Sequence, residues 1–198
     1  RDSYTPLRWA VLELLSEYGG LPGQQRMLVM LEDPKAPDRA GVLNFLALKG
    51  KVDADICERF LKDKEPELRQ GAIDALGVLA QTDDVSYGRL RDLALQETDP
   101  AVRRSAIASL GSSKRPGVLE DLKLASRDID GTVQTEAVRQ IGLMDGQQAE
   151  VLGAMALDTT RAPEAREMAF QEWLKDAPDD GIPDICEKMY QDGHPEIQ

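Results

Sequence analysis

The 198-residue chain contains a single histidine, His194, and only two cysteines, Cys57 and Cys186. Acid–base and nucleophilic catalysis usually depend on a histidine held beside a second reactive group, and a structural zinc site needs four ligands. Neither cysteine has a second cysteine or a histidine near it in the sequence. We therefore expect no catalytic constellation, no metal site and no cofactor, which favours a protein that is not an enzyme.

Long apolar runs and clusters of basic residues are also missing. The richest apolar stretches, 11–15 and 27–31, are five residues long, whereas a membrane-spanning helix needs about 20 apolar residues. The formal net charge is −12, and nucleic-acid binding requires a concentrated excess of Lys and Arg. We expect neither a membrane span nor a nucleic-acid partner. Because the sequence shows no initiator Met and no signal sequence, it leaves the compartment open, cytoplasmic or periplasmic. It also leaves the oligomeric state open.

One segment, residues 99–111, has the pattern of a complete helix with its start and stop signals. Asp99 can cap the first turn, Pro100 suits the first helical position, and Gly111 marks the end. The apolar residues between these signals recur at helical spacing and form one stripe that a lone helix could not bury. The stripe consists of Val102, Ala106, Ile107 and Leu110.

This stripe recurs six times, and a second apolar helix follows each copy after a short turn. The pattern predicts an all-α fold: an α-α superhelix of about six helical hairpins in a single domain, 1–198. The stripes are Leu7/Val11/Leu12/Leu15, Ala40/Asn44/Phe45/Leu48, Leu68/Ala72/Ile73/Leu76, Val102/Ala106/Ile107/Leu110, Val133/Ala137/Val138/Ile141 and Ala165/Ala169/Phe170/Trp173. The predicted repeats are 4–33, 34–64, 65–98, 99–129, 130–161 and 162–194. The second helices are predicted at 22–31, 52–61, 87–95, 116–125, 149–157 and 182–190.

The closest internal match joins residues 55–68 to residues 184–197, four repeats further along. The second of these segments ends with the beginning of a truncated further repeat, 195–198, so we expect the parent protein to continue beyond Gln198. Cys57 and Cys186 occupy the same position in the two segments. Because a disulfide requires Cα atoms closer than about 7 Å, we expect both cysteines to be small core residues that do not pair with each other.

The segments 99–111 and 65–77 resemble the short HEAT repeats of the phycobilisome-lyase-like, armadillo-type class. The resemblance covers nearly the whole chain and implies an α-α superhelix whose second helices line a concave groove, with no particular reaction. HEAT-like deoxyhypusine hydroxylases carry His-Glu pairs for a di-iron centre, and this sequence has no His-Glu dipeptide. HEAT-like DNA glycosylases hold a duplex in a basic groove, which the acidic charge opposes.

The resemblance also implies a ladder of polar contacts between neighbouring repeats. In similar repeats an Arg follows the first apolar position, as it does here at Arg8, Arg69, Arg103 and Arg166, whereas Gly41 and Gln134 depart from this pattern. Asp99 and Asp130 are the expected acidic members. Repetition at one helical position favours a stacking role over a binding site.

A candidate partner-binding surface emerges when the second helices are compared. In the second and sixth repeats the outward stripe is polar, and Arg59 and Lys188 share one position in it. The same position in the middle repeats holds apolar residues, as expected of a groove for an amphipathic partner. A one-residue shift in the alignment would instead turn these residues into the core. They are Leu93, Leu124 and, allowing one residue of slippage, Met155 or Ala156.

The sequence therefore favours a non-catalytic scaffold module of a larger protein, which binds a protein or peptide along a concave helical surface. The alternative is an enzyme or accessory factor of the phycobilin-lyase type. The repeat register also predicts that one residue of each first helix fills an equivalent buried position. These residues are Leu12, Ile73, Ile107, Val138 and Phe170.

Overall fold

Eleven α-helices make up the regular structure of the residues that the computed structural model describes, which are 10–11, 14, 20–144, 148–177 and 182–191. No β-strand occurs in these residues. The predicted all-α class is therefore confirmed. The helices are α1 Gly20–Glu32, α2 Arg39–Leu48, α3 Ala54–Phe60, α4 Pro66–Leu79, α5 Asp84–Gln96, α6 Pro100–Gly111, α7 Val118–Ala125, α8 Gly131–Gly142, α9 Ala149–Leu157, α10 Pro163–Leu174 and α11 Ile182–Gln191.

Aspartates begin several helices in the way the sequence predicts. The Asp99 carboxylate accepts a hydrogen bond from the Ala101 N–H at 2.9 Å, and Pro100 is the first residue of α6. Asp130 caps α8, and Asp53 caps α3. Each cap satisfies a backbone donor that has no partner inside the helix, which typically stabilises a helix by about 1 kcal/mol.

The chain divides into two compact units, residues 1–86 and 87–198. In the first unit, α1 packs against α2, α3 packs against α4, and the two first helices α2 and α4 lie side by side. This alternation buries the apolar stripes between helices, because no single helix can cover its own stripe. The prediction of one domain over 1–198 stays a prediction.

The second unit repeats the same packing over more helices. The first helices α6, α8 and α10 pack in sequence, α6 on α8 and α8 on α10. Second helices fill the neighbouring positions, with α7 against α6 and α8, and α9 against α8, α10 and α11. Sequential helix pairs of this kind are consistent with an α-α solenoid, in which each repeat buries its apolar face against its neighbours.

The predicted core positions are largely confirmed in the described repeats. Ile73, Ile107 and Val138 are buried in equivalent positions of α4, α6 and α8. Phe170 was expected in the same position of α10, but it is only half-buried. Its ring stacks on the buried Trp173 with 5.9 Å between ring centroids, so the larger indole occupies the interior there. Leu12 lies outside the described residues.

The register of the second copy was predicted wrongly. Its proposed stripe ends at Leu48, which is 65% exposed, and it includes Ala40 and Asn44, which are only half-buried. Phe45 is buried as predicted, but Val42, Leu43 and Leu46 are more deeply buried, and Leu43 and Leu46 are spaced like Ile73 and Leu76 of α4. The sequence alignment was shifted by two residues, because the turns that join the repeats differ in length.

This corrected register shows that Arg39 is a ladder residue, which the sequence did not reveal. Arg39 is buried, and its Nε donates to the Leu31 carbonyl at 2.8 Å. Its Nη2 lies 3.2 Å from an Asp63 oxygen, and its Nη1 lies 3.4 Å from Glu65. One guanidinium therefore joins the ends of α1 and α3 to the start of α2.

Arg103 makes the equivalent connection in the second unit. Its Nε and Nη2 donate to the two carboxylate oxygens of Asp128, at 2.8 and 2.7 Å. Its Nη1 donates to the carbonyls of Glu97 and Thr98, at 2.7 and 3.0 Å. The paired geometry and the nearby carboxylate raise the pKa of Arg103 above its ordinary value. The side chain thus fastens the ends of α5 and α7 to α6.

The predicted ladder residue Arg69 donates from Nη1 to the carbonyls of Asp63 and Lys64, at 2.8 and 3.1 Å. The two other described ladder positions, Gln134 and Arg166, differ in chemistry. Gln134 donates from Nε2 to the Asp128 carbonyl at 2.6 Å and accepts the Ala162 N–H at 2.9 Å, so it joins neighbouring segments without a charge. Arg166 donates from Nε to the Ala156 carbonyl at 2.9 Å. The polar ladder therefore passes through a position that the sequence pattern excluded. Arg8 lies outside the described residues.

Asp99 and Asp130 were expected to be the acidic partners in this ladder, but the structure assigns that role to Asp63 and Asp128. Asp99 and Asp130 instead cap α6 and α8, whereas Asp63 and Asp128, which follow α3 and α7, lie within reach of the guanidinium groups of Arg39 and Arg103. Hydrogen bonds from the Glu65 N–H and from Arg39 hold the pKa of Asp63 below its ordinary value, against the opposing effect of burial.

Candidate functional site

A single exposed position recurs on the five second helices α3, α5, α7, α9 and α11 when they are aligned on their buried residues. The reference position in this alignment is filled by the buried residues Phe60, Ala125, Met155 and Met189, with the half-buried Leu93 in α5. The residue immediately before it is exposed in all five helices. We call these residues the outward position; they are Arg59, Asp92, Leu124, Ala154 and Lys188.

Three of the five residues predicted to form a binding surface occupy this outward position: Arg59, Leu124 and Lys188. Leu124 is 54% exposed on α7 and follows the charged residues Glu120 and Lys123, which form an ion pair at 2.8 Å. A leucine this exposed loses much of the stabilisation that burial would supply. Leu124 is therefore the one apolar residue of the prediction that the structure leaves open to a partner.

The other two predicted residues, Met155 and Leu93, do not lie at the outward position. Met155 is only 5% exposed and belongs to the core of the second unit, and Ala156, its alternative, is fully buried. Leu93 is half-buried. One residue along a helix rotates a side chain by about 100°, so a one-residue shift moved these positions from the surface to the core. Asp92 and Ala154 are exposed in their place.

The two predicted basic residues are each held by a neighbouring carboxylate. In the first unit, Arg59 forms an ion pair with Glu32 and lies 5.7 Å from the centroid of the Phe60 ring. In the second unit, Lys188 donates to Asp184 at 2.6 Å, one turn earlier on α11. All four charged groups are well exposed, so these ion pairs add little to stability and can rearrange around a partner.

Lys188 also lines a cleft in the second unit that the sequence did not indicate. This cleft lies between α9 and α11, with a volume of about 410 Å³. Its floor is apolar and includes Gly153, Leu157, Trp173 and Ile185. We call it the Trp173 cleft. Its volume lies in the range typical of sites that hold a small ligand or a few side chains.

Gly153 keeps the floor of this cleft open. A Cβ at this position would lie 3.1 Å from Ile185 Cδ1 and 3.2 Å from Trp173 Nε1. Glycine inside a helix such as α9 destabilises it by about 0.5–1 kcal/mol relative to alanine. The close approach of α11 and the indole to α9 explains why glycine fits here. The signal in the sequence is a lone glycine within a strongly apolar helix.

A partly buried polar network in the second unit was also not predicted from the sequence. The Tyr87 hydroxyl donates to Asp121 at 2.6 Å, and Arg91 Nε donates to the other oxygen of Asp121 at 2.7 Å. Burial and the hydrogen bond to this carboxylate raise the pKa of Tyr87. The network links α5 to α7. The sequence signal is an aspartate placed on the apolar side of a short helix.

The two cysteines, which are the described residues with the most reactive side chains, lie in helices and form no metal site. Cys57 is buried in α3 and Cys186 is half-buried in α11, and the two do not form a disulfide. Cys57 therefore fits the expected core role better than Cys186. Among the described residues, no group of three or more His, Cys, Asp or Glu side chains is arranged to hold a metal ion. His194 lies outside the described residues.

None of the described helices combines the length and the apolar character that crossing a bilayer requires.

Comparison with known proteins identifies part of the chain. Residues 54–142 match the family model for HEAT repeats. This match begins with α3 and ends with α8, and it confirms HEAT repeats over those residues. No curated protein matches the chain. Residues 54–142 are thus a HEAT repeat module, a type that generally serves as a scaffold for protein interactions and is typically non-catalytic.

Proposed function

We propose that this chain is a non-catalytic scaffold that binds a protein or peptide partner through the exposed face of its second helices. The HEAT repeats of residues 54–142 support a binding role in general. The observation that carries the proposal is the outward position, in which α7 exposes Leu124 where α3, α5 and α11 carry a charged residue and α9 carries Ala154.

The non-catalytic part of this proposal is supported by several carboxylates that could act in catalysis but already have structural partners. Asp128 is bound by Arg103, Asp121 is bound by Tyr87 and Arg91, and Asp130 caps a helix. A carboxylate held in this way is poorly placed to act on a substrate.

We further propose that the repeats belong to the short phycobilisome-lyase-like class, on the basis of the segments 65–77 and 99–111.

The acidic character of the chain supports a protein partner over a nucleic acid. A formal net charge of −12 repels phosphate backbones and attracts basic surfaces. Binding of duplex or single-stranded nucleic acid at physiological salt, with a micromolar or tighter Kd, would contradict the proposal. A fluorescence-anisotropy titration with labelled oligonucleotides measures this directly.

The decisive experiment compares two aspartate substitutions on the same unit. Leu124→Asp places a charge at the outward position, whereas Ile129→Asp places the same charge on a loop residue that is 98% exposed. Both side chains are exposed, so we expect each variant to stay folded, with circular dichroism and thermal melting as controls. The variants and the parent chain are immobilised and used to capture proteins from a lysate of the source organism.

We expect a partner that the parent chain and Ile129→Asp capture equally and that Leu124→Asp captures at least about tenfold less. The captured protein is then purified and its Kd measured against all three chains. If Leu124→Asp binds it as tightly as Ile129→Asp does, the second-helix face is not the binding surface. If the purified chain instead turns over a substrate, the non-catalytic assignment fails.

A further inference from the structure

Trp173 presents a polar group that the fold does not use. The residue is 4% exposed, yet it lines the Trp173 cleft, and its Nε1 edge faces Gly153 in the cleft floor. Within the part of the chain that the structure describes, no residue accepts a hydrogen bond from this N–H. The indole N–H can therefore donate a hydrogen bond to a group that enters the cleft.

The rim of the same cleft is acidic. Glu150 on α9 and Asp184 on α11 are exposed and line the opening. Lys188, the basic residue of the lining, already pairs with Asp184 at 2.6 Å. Glu150 forms no ion pair with any described residue. Among the described residues, the cleft therefore combines an apolar floor, an indole N–H without an acceptor and the Glu150 carboxylate without an ion pair.

From these three features we infer that the Trp173 cleft binds a basic, apolar peptide segment of a partner protein. One large aliphatic or aromatic side chain packs on the apolar floor, against Leu157 and Ile185. A backbone carbonyl of the peptide accepts the hydrogen bond from Trp173 Nε1, and an adjacent Lys or Arg pairs with Glu150. The inference rests on the proposed protein-binding function and names the chemistry of the partner.

Each part of this peptide follows from a feature of the cleft. The apolar floor accommodates a side chain but not a hydrated charge, since desolvating a charge is costly. A peptide supplies a carbonyl at every residue, so the acceptor lies close to whichever side chain enters. A basic neighbour is favoured locally by Glu150, and the overall charge of −12 attracts it over a longer distance.

The test uses a random 12-residue peptide library displayed on phage and selected against the 198-residue chain. Enriched sequences are synthesised with a fluorescent label and titrated against four purified chains by anisotropy. These are the parent chain, Trp173→Phe, Glu150→Lys and Glu187→Lys. Glu187 is exposed on α11 but does not line the cleft. Glu187→Lys therefore makes the same charge change as Glu150→Lys and serves as its matched control.

We expect the enriched peptides to share a large apolar residue next to Lys or Arg. Loss of a hydrogen bond worth about 0.5–1.5 kcal/mol predicts that Trp173→Phe weakens binding roughly 2- to 10-fold. Glu150→Lys is expected to weaken binding by at least about threefold, and Glu187→Lys by less than about twofold. Equal effects of the two charge reversals would overturn the assignment of the basic residue to Glu150.

A spectroscopic measurement keeps the test valid even if Trp173→Phe is destabilised. In a ¹⁵N-labelled parent chain the two tryptophans give two indole N–H signals, and the Trp173→Phe spectrum identifies which one is Trp173. We expect the Trp173 signal to move downfield when peptide is added, as it gains an acceptor. An unmoved signal at saturating peptide, or a library that yields no common sequence, would overturn the inference.

The same variants separate this inference from the proposed function. If the native partner is lost by Leu124→Asp but retained by Trp173→Phe and Glu150→Lys, the scaffold function stands and the Trp173 cleft is not its peptide site. If Leu124→Asp also retains the partner, both proposals fail. Loss of the partner in all three variants, with Glu187→Lys unaffected, supports both proposals together.

Discussion

Replacing Arg103 with alanine is expected to destabilise the second unit more than any substitution of an exposed residue. The Arg103 and Asp128 side chains are only 9% and 10% exposed, and they share two hydrogen bonds. Removing the guanidinium also deprives two backbone carbonyls, those of Glu97 and Thr98, of their donor. The change therefore leaves a nearly buried carboxylate with no counter-ion.

The expected magnitude follows from what remains around Asp128. Removing one partner of a buried ion pair typically lowers the free energy of unfolding by about 3–5 kcal/mol. Asp128 retains a hydrogen bond from the Asp130 N–H at 2.8 Å, which compensates part of its charge. We therefore expect a loss near the lower limit, about 3 kcal/mol. Arg104→Ala, which removes the exposed neighbouring arginine, should change stability by no more than about 0.5 kcal/mol.

Urea unfolding followed by circular dichroism measures both variants, with the unfolding free energy extrapolated to water. A double-mutant cycle with Asp128→Ala isolates the pair, and we expect a coupling energy of about 1–3 kcal/mol. The reasoning is refuted if Arg103→Ala costs no more than Arg104→Ala. Strict additivity of the two single substitutions would equally show that the pair does not couple the repeats.

Three further predictions test the core, the polar ladder and the cysteines. Ile107→Ala removes a fully buried side chain from α6 and should cost about 2–5 kcal/mol in urea unfolding, whereas Ile129→Ala should stay within about 0.5 kcal/mol. The pKa of Asp63 is held below its ordinary value of 3.8, so the Asp63 carboxylate stabilises the fold above pH 3.8 and loses this effect as the pH falls further. Urea midpoints measured from pH 6 to pH 2.5 should therefore decline less steeply with acid in Asp63→Asn than in the parent chain. Iodoacetamide should modify the half-buried Cys186 faster than the buried Cys57 in the folded protein, as peptide mass spectrometry would reveal, and equal rates would contradict the burial of Cys57.

The order of the helices and much of the core could be predicted from the sequence. The signals are local: a capping aspartate, a proline at the first helical position and an apolar stripe, as in residues 99–111. Ile73, Ile107 and Val138 were identified because their repeats keep the same spacing, and all three are buried. Phe170 was predicted to be buried together with Trp173, but only Trp173 is buried, because the shape of the space between the helices is not visible in the spacing of residues.

The candidate site was harder to predict, because it depends on rotation about a helix axis. A one-residue error turns a side chain by about 100°, and this is how Met155 was placed on the surface when Ala154 is the exposed residue. Leu124 was placed correctly because its repeat keeps the register. The Trp173 cleft could not be predicted, since it is formed by residues from three helices that only packing brings together.

The sequence by itself determined the repeat: an all-α chain of helical hairpins, with its caps and most of its buried stripe. These features follow from local spacing, which is visible in the order of residues. The tertiary structure alone decided which charges pair and which helix faces stay open. Arg39 reaches Asp63, Arg103 reaches Asp128, and the Trp173 N–H faces a cleft, because these contacts join residues that are distant in sequence and depend on the lengths of the turns between helices.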